Sequence, residues 1–252
     1  MSTFKLQQFS VVQQHSAMKV CTDTMIFGAS LPITGGETVI DIGAGTGILS
    51  LMAAQQGASK VTAVEIDQET AKECADNLSN SRWHSILHCL HADILSRPLI
   101  EQVDRVICNP PFFDNHTASS DPLRRTARHT DYLDFQSLFT VATSLLKRDG
   151  IFCLLIPRPI VDRINTIAQS KQLQLTRRFD IQAKPSLDSK TSILWFSRSS
   201  HTPATPQHQT ITVYDEDRQY SEQGVRYLKD YLLRFKDSNS SSPEDENLTP
   251  EN

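Results

Sequence analysis

The chain has 252 residues, enough to bury a core without disulfides or a structural metal. Charged residues make up 21% and hydrophobic residues 38%, and no apolar run approaches the ~18–20 residues of a membrane helix, so no membrane-spanning helix is expected. The formal net charge is −4, yet residues 237–252 hold five acids and no bases; the other 25 basic and 24 acidic residues leave a body at +1, on which any nucleic-acid surface must be a local patch.

Five cysteines (Cys21, Cys74, Cys89, Cys108, Cys153) stand singly, with no C-x-x-C pair. That odd, scattered set predicts a reducing cytoplasmic location and neither a disulfide frame nor a metal site. The N-terminus lacks a basic-then-apolar leader pattern. Residues 1–20 read as extended and roughly alternating ("FKLQQFSVVQQ"), a short helix runs from about Asp23 to Leu31, and "PITGG" turns the chain into the main body. Short apolar runs then alternate with helical patterns: strand "TVIDI", helix "ILSLMAAQQ", strand "KVTAVEI", helix "ETAKECADNLS", then strands "ILHCLHADI" and "VDRVICN". A helix near "FQSLFTVATSLL", strand "GIFCLLIP", a helix around 159–170, and strands "LQLTRRFDI" and "TSILWFS" follow. Ala71, Cys74, Ala75 and Leu78 take the i, i+3, i+4, i+7 spacing of a buried stripe.

Strands alternating with helices predict an α/β fold, a mostly parallel sheet with helices on both faces. After the polar link "SSHTPATPQHQ", "TITVYD" and an amphipathic helix near 222–235 pack back on the sheet. Residues 1–236 are expected to form one domain, with 1–37 as an N-terminal extension packed on it. The acidic tail 237–252 is too poor in apolar groups to offset the entropy of ordering, and disorder is expected there.

"DIGAGTG" (41–47) falls where the first strand of the sheet meets a helix. Gly43, Gly45 and Gly47 permit a tight turn at positive φ and let backbone N–H groups approach a ligand. The dinucleotide fingerprint G-x-G-x-x-G would need a small residue where Ile48 stands, so a ligand with an adenosine end and no phosphates fits better. The second strand ends at Glu65, 22 residues after Gly43, where a carboxylate can accept from both ribose hydroxyls. Asp67 caps the following helix. The third strand closes in "HAD", which puts Asp93 at the same edge, able to accept from an adenine amino group. Acids at three successive strand ends (Asp41, Glu65, Asp93) mark the edge at which open α/β sheets bind ligands.

These residues resemble those of class I S-adenosylmethionine-dependent methyltransferases. The resemblance implies a Rossmann-like, seven-stranded sheet with an antiparallel last strand, and S-adenosylmethionine as cofactor. It further implies that the Asp41–Gly47 loop contacts the methionine part, Glu65 the ribose, Ile66 the adenine face, and Asp93 with Ala92 the adenine edge.

"NPPF" (109–112) ends the fourth strand, beside the place of the cofactor's sulfonium. A planar amino nitrogen is a poor nucleophile because its lone pair is delocalised. An Asn109 side-chain oxygen and the Pro110 carbonyl can both accept from the NH₂ group, drawing it towards tetrahedral geometry. Pro111 stiffens the bend, and Phe112 offers a face for a base to stack on, worth ~1–3 kcal/mol in single-stranded nucleic-acid binding. Such motifs occur in adenine-N6 methyltransferases on DNA and RNA and in glutamine-N5 methyltransferases acting on release factors.

"HSAMKVCTDTMIFGASLP", "NPPFFDN" with "RRTARH", and "YSEQGVRYLKDYLLRF" together resemble the bacterial tRNA1(Val) adenine-N6-methyltransferase family over about residues 4–235. That resemblance implies methylation of the adenine just 3′ of the anticodon, position 37, in one valine tRNA. It places Lys19, Thr22 and Asp23 near the methionine end or the target pocket. Arg124, Arg125, Arg128 and His129 are candidate RNA contacts, with Arg177, Arg178 and Lys184 as further cations. Phe112 replaces the tyrosine more common in such motifs, which keeps the ring and removes a hydroxyl. The expected partner is a tRNA anticodon loop and the expected assembly a monomer. Competing readings are a glutamine-N5 methyltransferase acting on a protein and a non-catalytic RNA-binding module. The 40 residues before the glycine loop leave no room for the helical domain that glutamine-modifying enzymes usually carry.

Overall fold

The computed structural model describes residues 2–16, 18–96, 101–110, 134–198 and 205–236. Pro111, Phe112, Arg124, Arg125, Arg128, His129 and the tail 237–252 lie outside the described residues.

Two short strands, β1 (Thr3–Lys5) and β2 (Ser10–Val12), pair antiparallel and lead into helix α1 (Thr22–Ala29). Next come β3 (Thr38–Ile42), α2 (Ile48–Gln55), β4 (Lys60–Glu65), α3 (Gln68–Ser79), β5 (Leu87–His91) and β6 (Val103–Cys108). The second half holds α4 (Phe135–Leu145), β7 (Leu146–Pro157), α5 (Val161–Ser170), β8 (Leu173–Gln182), β9 (Thr191–Arg198), β10 (Gln207–Thr212) and α6 (Glu222–Leu228).

The large sheet has the order β10-β8-β9-β7-β6-β3-β4-β5. β9 runs antiparallel to both neighbours, and every other pair is parallel. The α/β class therefore stands, with eight strands among the described residues where seven were expected. The additional strand arises because β10 adds in parallel to the open edge of β8, with His208 opposite Arg178 and Thr212 opposite Gln182.

Side chains along β7 alternate with the period of two that a pleated strand imposes: Phe152, Leu154 and Ile156 enter one core, Cys153 and Leu155 the other. Helices α1, α2 and α3 contribute to the Cys153 side and α4 and α5 to the Phe152 side, so the central strands are buried on both faces. Caps fix helix starts. Asp67 accepts from Thr70 N–H (2.9 Å), as expected, Asp134 from Ser137 N–H (2.9 Å) and Ser221 from Gly224 N–H (3.0 Å), each worth ~1 kcal/mol.

Two sequence expectations change. The inner face of α3 carries Thr70, Glu73 and Asn77 beside Ala71, Cys74 and Leu78, while Ala75 is exposed. Polar groups belong on that face because the N-terminal segment lies against it, with Asn77 Nδ2 donating to Val12 O and to Thr46 O, both at 2.9 Å. The C-terminal helix stops at Leu228, not near 235. Gln7 Nε2 donates to the carbonyls of Lys229 (2.7 Å) and Leu232 (2.8 Å), and Gln7 N–H to Tyr231 O (2.8 Å), so the β1–β2 turn ends the helix. No helix among the described residues is long and apolar enough to cross a membrane, and none of their His, Cys, Asp and Glu side chains group as metal ligands.

Candidate active site

Parallel strands β3, β4, β5 and β6 end on one edge of the sheet, and the loops there build a cleft. Between β3 and α2 the chain turns through Gly43 (φ 69°), Gly45 (φ 55°) and Gly47 (φ 79°), all left-handed. Two of them serve different ends. A Cβ at Gly43 would meet nothing within 4 Å among the described residues, so its backbone lies open to a ligand, whereas a Cβ at Gly47 would come within 3.0 Å of Cys74 Sγ and Leu78 Cδ2 in α3.

The acids of this edge divide into distinct environments. Asp41 is fully buried under the loop; its Oδ2 accepts from Ser50 Oγ at 2.8 Å and its Oδ1 has no partner among the described residues. Burial pushes its carboxyl up to about 7, against the Ser50 hydrogen bonds and with help from the Glu65 charge. Glu65 faces its own backbone: Oε2 accepts from Gly45 N–H (2.9 Å), Oε1 from Ile66 N–H (3.0 Å) and Asp67 N–H (3.1 Å). Three of the roughly four lone-pair positions of a carboxylate are thus taken, which ties the glycine loop to the end of β4 and leaves room for one more donor. Asp93 is exposed and caps the short turn after β5, accepting from Leu95 N–H through Oδ1 (2.8 Å). Between these acids Ile66 is 64% exposed, an apolar face that water covers poorly; His91 Nε2 lies 3.1 Å from the Ile66 carbonyl oxygen.

A cleft open to solvent joins the glycine loop to the N-terminal segment, with Ser16, Lys19, Thr24, Gly43, Gly45 and Asn109 among its lining residues. Lys19 Nζ donates to Gln13 O, and Gln13 Oε1 accepts from Val20 N–H (2.9 Å), which fixes the segment as it crosses the cleft. Thr22 is outside the lining; its Oγ1 lies 3.5 Å from Tyr214 Oη, and Asp23 Oδ2 accepts from Thr191 Oγ1 (2.8 Å). Asn109 follows the last residue of β6, and Pro110 behind it is buried. Its Nδ2 donates to Thr24 Oγ1 (3.2 Å), while its Oδ1 is buried with no hydrogen-bond partner among the described residues. A buried amide oxygen left free is costly, on the order of 1–3 kcal/mol, unless something else supplies the donor.

Sequence reasoning missed Thr24, Ser16, Glu73 and Asn77. Glu73 is buried and takes three consecutive amides of the N-terminal segment: Gln14 (2.6 Å) and His15 (3.0 Å) on Oε2, Ser16 (3.2 Å) on Oε1. A signal did exist, since Thr70, Glu73, Cys74 and Asn77 also follow the i, i+3, i+4, i+7 spacing. The secondary cation candidates are engaged within the protein. Arg177 lies over the Trp195 ring (5.1 Å) and donates to Gln207 Oε1 (2.8 Å), Arg178 grips Asp180 with two bonds (2.7 and 2.8 Å), and Lys184 Nζ donates to Glu216 O (2.9 Å).

Along this edge the open Gly43 lines the cleft, while the uncovered apolar face of Ile66 and the Glu65 carboxylate with one acceptor position left stand outside that lining. The strand order is that of a doubly wound sheet with one reversed strand, and the glycine turn and the acids sit at the edge where such sheets bind ligands. The molecule is thus a class I S-adenosylmethionine-dependent methyltransferase. A family model described as Methyltransferase small domain matches residues 10–181. A tRNA1(Val) (adenine(37)-N6)-methyltransferase of Shewanella loihica is 33% identical over 241 residues, covering 92% of this chain and 99% of that protein. A protein of the same name in Flavobacterium psychrophilum is 34% identical over 238 residues, with 92% and 100% covered. The chain belongs to the methyltransferase small domain family and to the tRNA1(Val) (adenine(37)-N6)-methyltransferase family. Among solved structures, a predicted O-methyltransferase from Agrobacterium tumefaciens has a TM-score of 0.62 at 17% identity, covering 81% of this chain and 94% of that one. A methyltransferase from Pyrococcus furiosus has a TM-score of 0.56 at 18% identity, with 75% and 89% covered. At such identities they show the fold alone.

Proposed function

We propose that this chain methylates N6 of an adenine in tRNA, namely the adenine at position 37, beside the anticodon of tRNA1(Val). The observation that carries this reading is Asn109 Oδ1, a buried acceptor with no partner among the described residues, on a side chain that borders the glycine-loop cleft. The names of the two relatives support the choice of amino group.

In this reading residues 1–236 work as one catalytic domain, monomeric and cytoplasmic. The Gly43, Gly45 and Gly47 turn receives the methionine end, with Lys19 and Thr22 nearby and Asp41 anchoring the loop from below. The open lone pair of Glu65 takes the ribose, Ile66 the adenine face, and Asp93 the adenine edge. When bound, S-adenosylmethionine supplies an electrophilic methyl group. Asn109 Oδ1 and the Pro110 carbonyl accept from the target NH₂, hold it in place and free its lone pair. No strong base is needed, because the nitrogen becomes acidic once it is methylated and can give its proton to water. Phe112 stacks on the base, and Arg124, Arg125 and Arg128 contact RNA. An anticodon-loop adenine is already single-stranded, which spares the few kcal/mol of unpairing that a duplex target requires.

Incubation with isotopically labelled cofactor and separate tRNA and protein fractions tests the substrate. Label is expected in N6-methyladenosine at position 37, and label in protein glutamine would favour the N5-glutamine alternative. Asn109→Ala should lower turnover by roughly 10²–10³-fold, the ~3–4 kcal/mol typical of one preorganised polar contact, while cofactor affinity persists. Wild-type turnover in that variant removes Asn109 from the mechanism.

A further inference from the structure

An amide side chain can be turned about its last bond, exchanging oxygen for NH₂ at almost no steric cost. For Asn109 the two orientations are chemically opposite. With Oδ1 toward the substrate the residue accepts from the target amino group, whereas with Nδ2 there two donors would face each other and the amino group would be repelled. Something beside Asn109 must therefore select the orientation.

Thr24 is the neighbour in position to do so. It is the third residue of α1, 5% exposed, and its side chain borders the same cleft. Its Oγ1 stands 3.2 Å from Asn109 Nδ2 and 3.3 Å from Cys21 Sγ. A hydroxyl has one proton and two lone pairs. Either the Cys21 thiol or the Thr24 hydroxyl can be the donor between them; with the hydroxyl proton directed at the sulfur, a lone pair is presented to Asn109 Nδ2, and the amide oxygen is left free. The helix holding Thr24 is in turn tied down through Asp23, which accepts from Thr191 Oγ1 at the start of β9 (2.8 Å).

We infer that Thr24 is a positioning residue that locks the Asn109 amide with its oxygen toward the target amino group. This rests on the proposed role of Asn109 as the acceptor for that group. In this inference Thr24 acts through Asn109 and not on the reacting atoms themselves.

The test is a graded pair, Thr24→Val, which keeps the shape and removes the hydroxyl, and Thr24→Ser, which keeps the hydroxyl. In tRNA methylation Thr24→Val should lose about tenfold to a hundredfold in kcat, the worth of one hydrogen bond, with KM for tRNA and cofactor Kd within about twofold of wild type. Thr24→Ser should recover most of the loss. An independent reading needs neither substrate nor cofactor. In ¹⁵N-labelled protein the Asn109 side-chain NH₂ signals, assigned by their absence in Asn109→Asp, should move in Thr24→Val and stay near wild-type positions in Thr24→Ser. Unmoved NH₂ signals in Thr24→Val, wild-type kcat in that variant, or equal losses in both variants overturn the inference. Should Val at position 24 impair folding, Thr24→Ala carries the same comparison. If the wild-type protein methylates no adenine in tRNA, the functional reading fails, and the NH₂ signals alone then decide whether Thr24 fixes the amide.

Discussion

Replacing Glu73 with Gln keeps the size of a buried side chain and removes its charge, so it isolates the clamp that holds residues 14–16 over the cleft. The carboxylate accepts from Gln14 N–H at 2.6 Å, His15 N–H at 3.0 Å and Ser16 N–H at 3.2 Å. Hydrogen bonds to a charged acceptor are worth about 1.5–3 kcal/mol each, but these three share one carboxylate, and water can reach amides freed on exposed residues. Gln offers one oxygen. Its best orientation gives that oxygen to Gln14 and His15 and sets NH₂ against the Ser16 amide, so one bond is lost, a donor meets a donor, and the remaining two weaken. The expected loss of stability is about 2–3 kcal/mol, read as a lower urea midpoint at unchanged slope. Ser16 Oγ lies 3.3 Å from the position a Gly45 Cβ would occupy, so a loosened segment disturbs the glycine loop as well. Calorimetry should then show cofactor affinity reduced about tenfold, equivalent to ~1.4 kcal/mol. A variant within about 0.5 kcal/mol of wild type and with an unchanged Kd would refute the idea that the N-terminal segment is a structural wall of the site.

Two further outcomes follow from the same geometry. Because the Asp41 carboxyl is raised to about 7, the folded state binds its proton more tightly than the unfolded chain between about pH 4 and 7, and this group's contribution destabilises progressively as pH climbs through that window. The stability difference between Asp41→Asn and wild type should therefore shift in the variant's favour as pH rises from about 4 to 7 in urea titrations; a pH-independent difference contradicts it. Gly47→Ala and Gly43→Ala should separate stability from binding. Both place a side chain at positive φ, at ~1 kcal/mol or more, but only the first also drives a Cβ to 3.0 Å from Cys74 and Leu78. Thermal melts should rank Gly47→Ala as the less stable, and calorimetry Gly43→Ala as the weaker cofactor binder; the reverse order would remove the distinction drawn between the two glycines.

Local signals carried the sheet and the loop. A run of alternating strands and helices, a glycine turn at a strand end and acids at successive strand ends are patterns within a few residues, and they place Gly43, Glu65 and Asn109 on one edge without knowledge of any long-range contact. Elements that depend on distant partners were not legible. The sequence places "TITVYD" back on the sheet, but the polar "QHQ" before it reads as link, and only β8, some thirty positions earlier, makes it the start of a strand. The end of α6 depends on Gln7, 225 positions before Leu232. Thr24 and Asn109 are 85 positions apart, and nothing in either neighbourhood announces that their side chains meet.

The same distinction explains why the N-terminal segment resisted reading. The edge of a parallel sheet where strands end is open, since connecting loops leave in both directions and no helix covers it, and a small ligand held there needs a wall. Here residues 12–16 and 18–24 provide one by lending backbone amides to Glu73 and Asn77, a lysine to Gln13, and a threonine to Asn109. Such a segment needs polar side chains that match carbonyls and amides, not an apolar stripe, so it leaves no periodic trace in the sequence. Its residues nonetheless make the acceptor geometry at Asn109 possible: the strand end alone supplies the amide, and the segment supplies the hydroxyl that decides which way the amide faces.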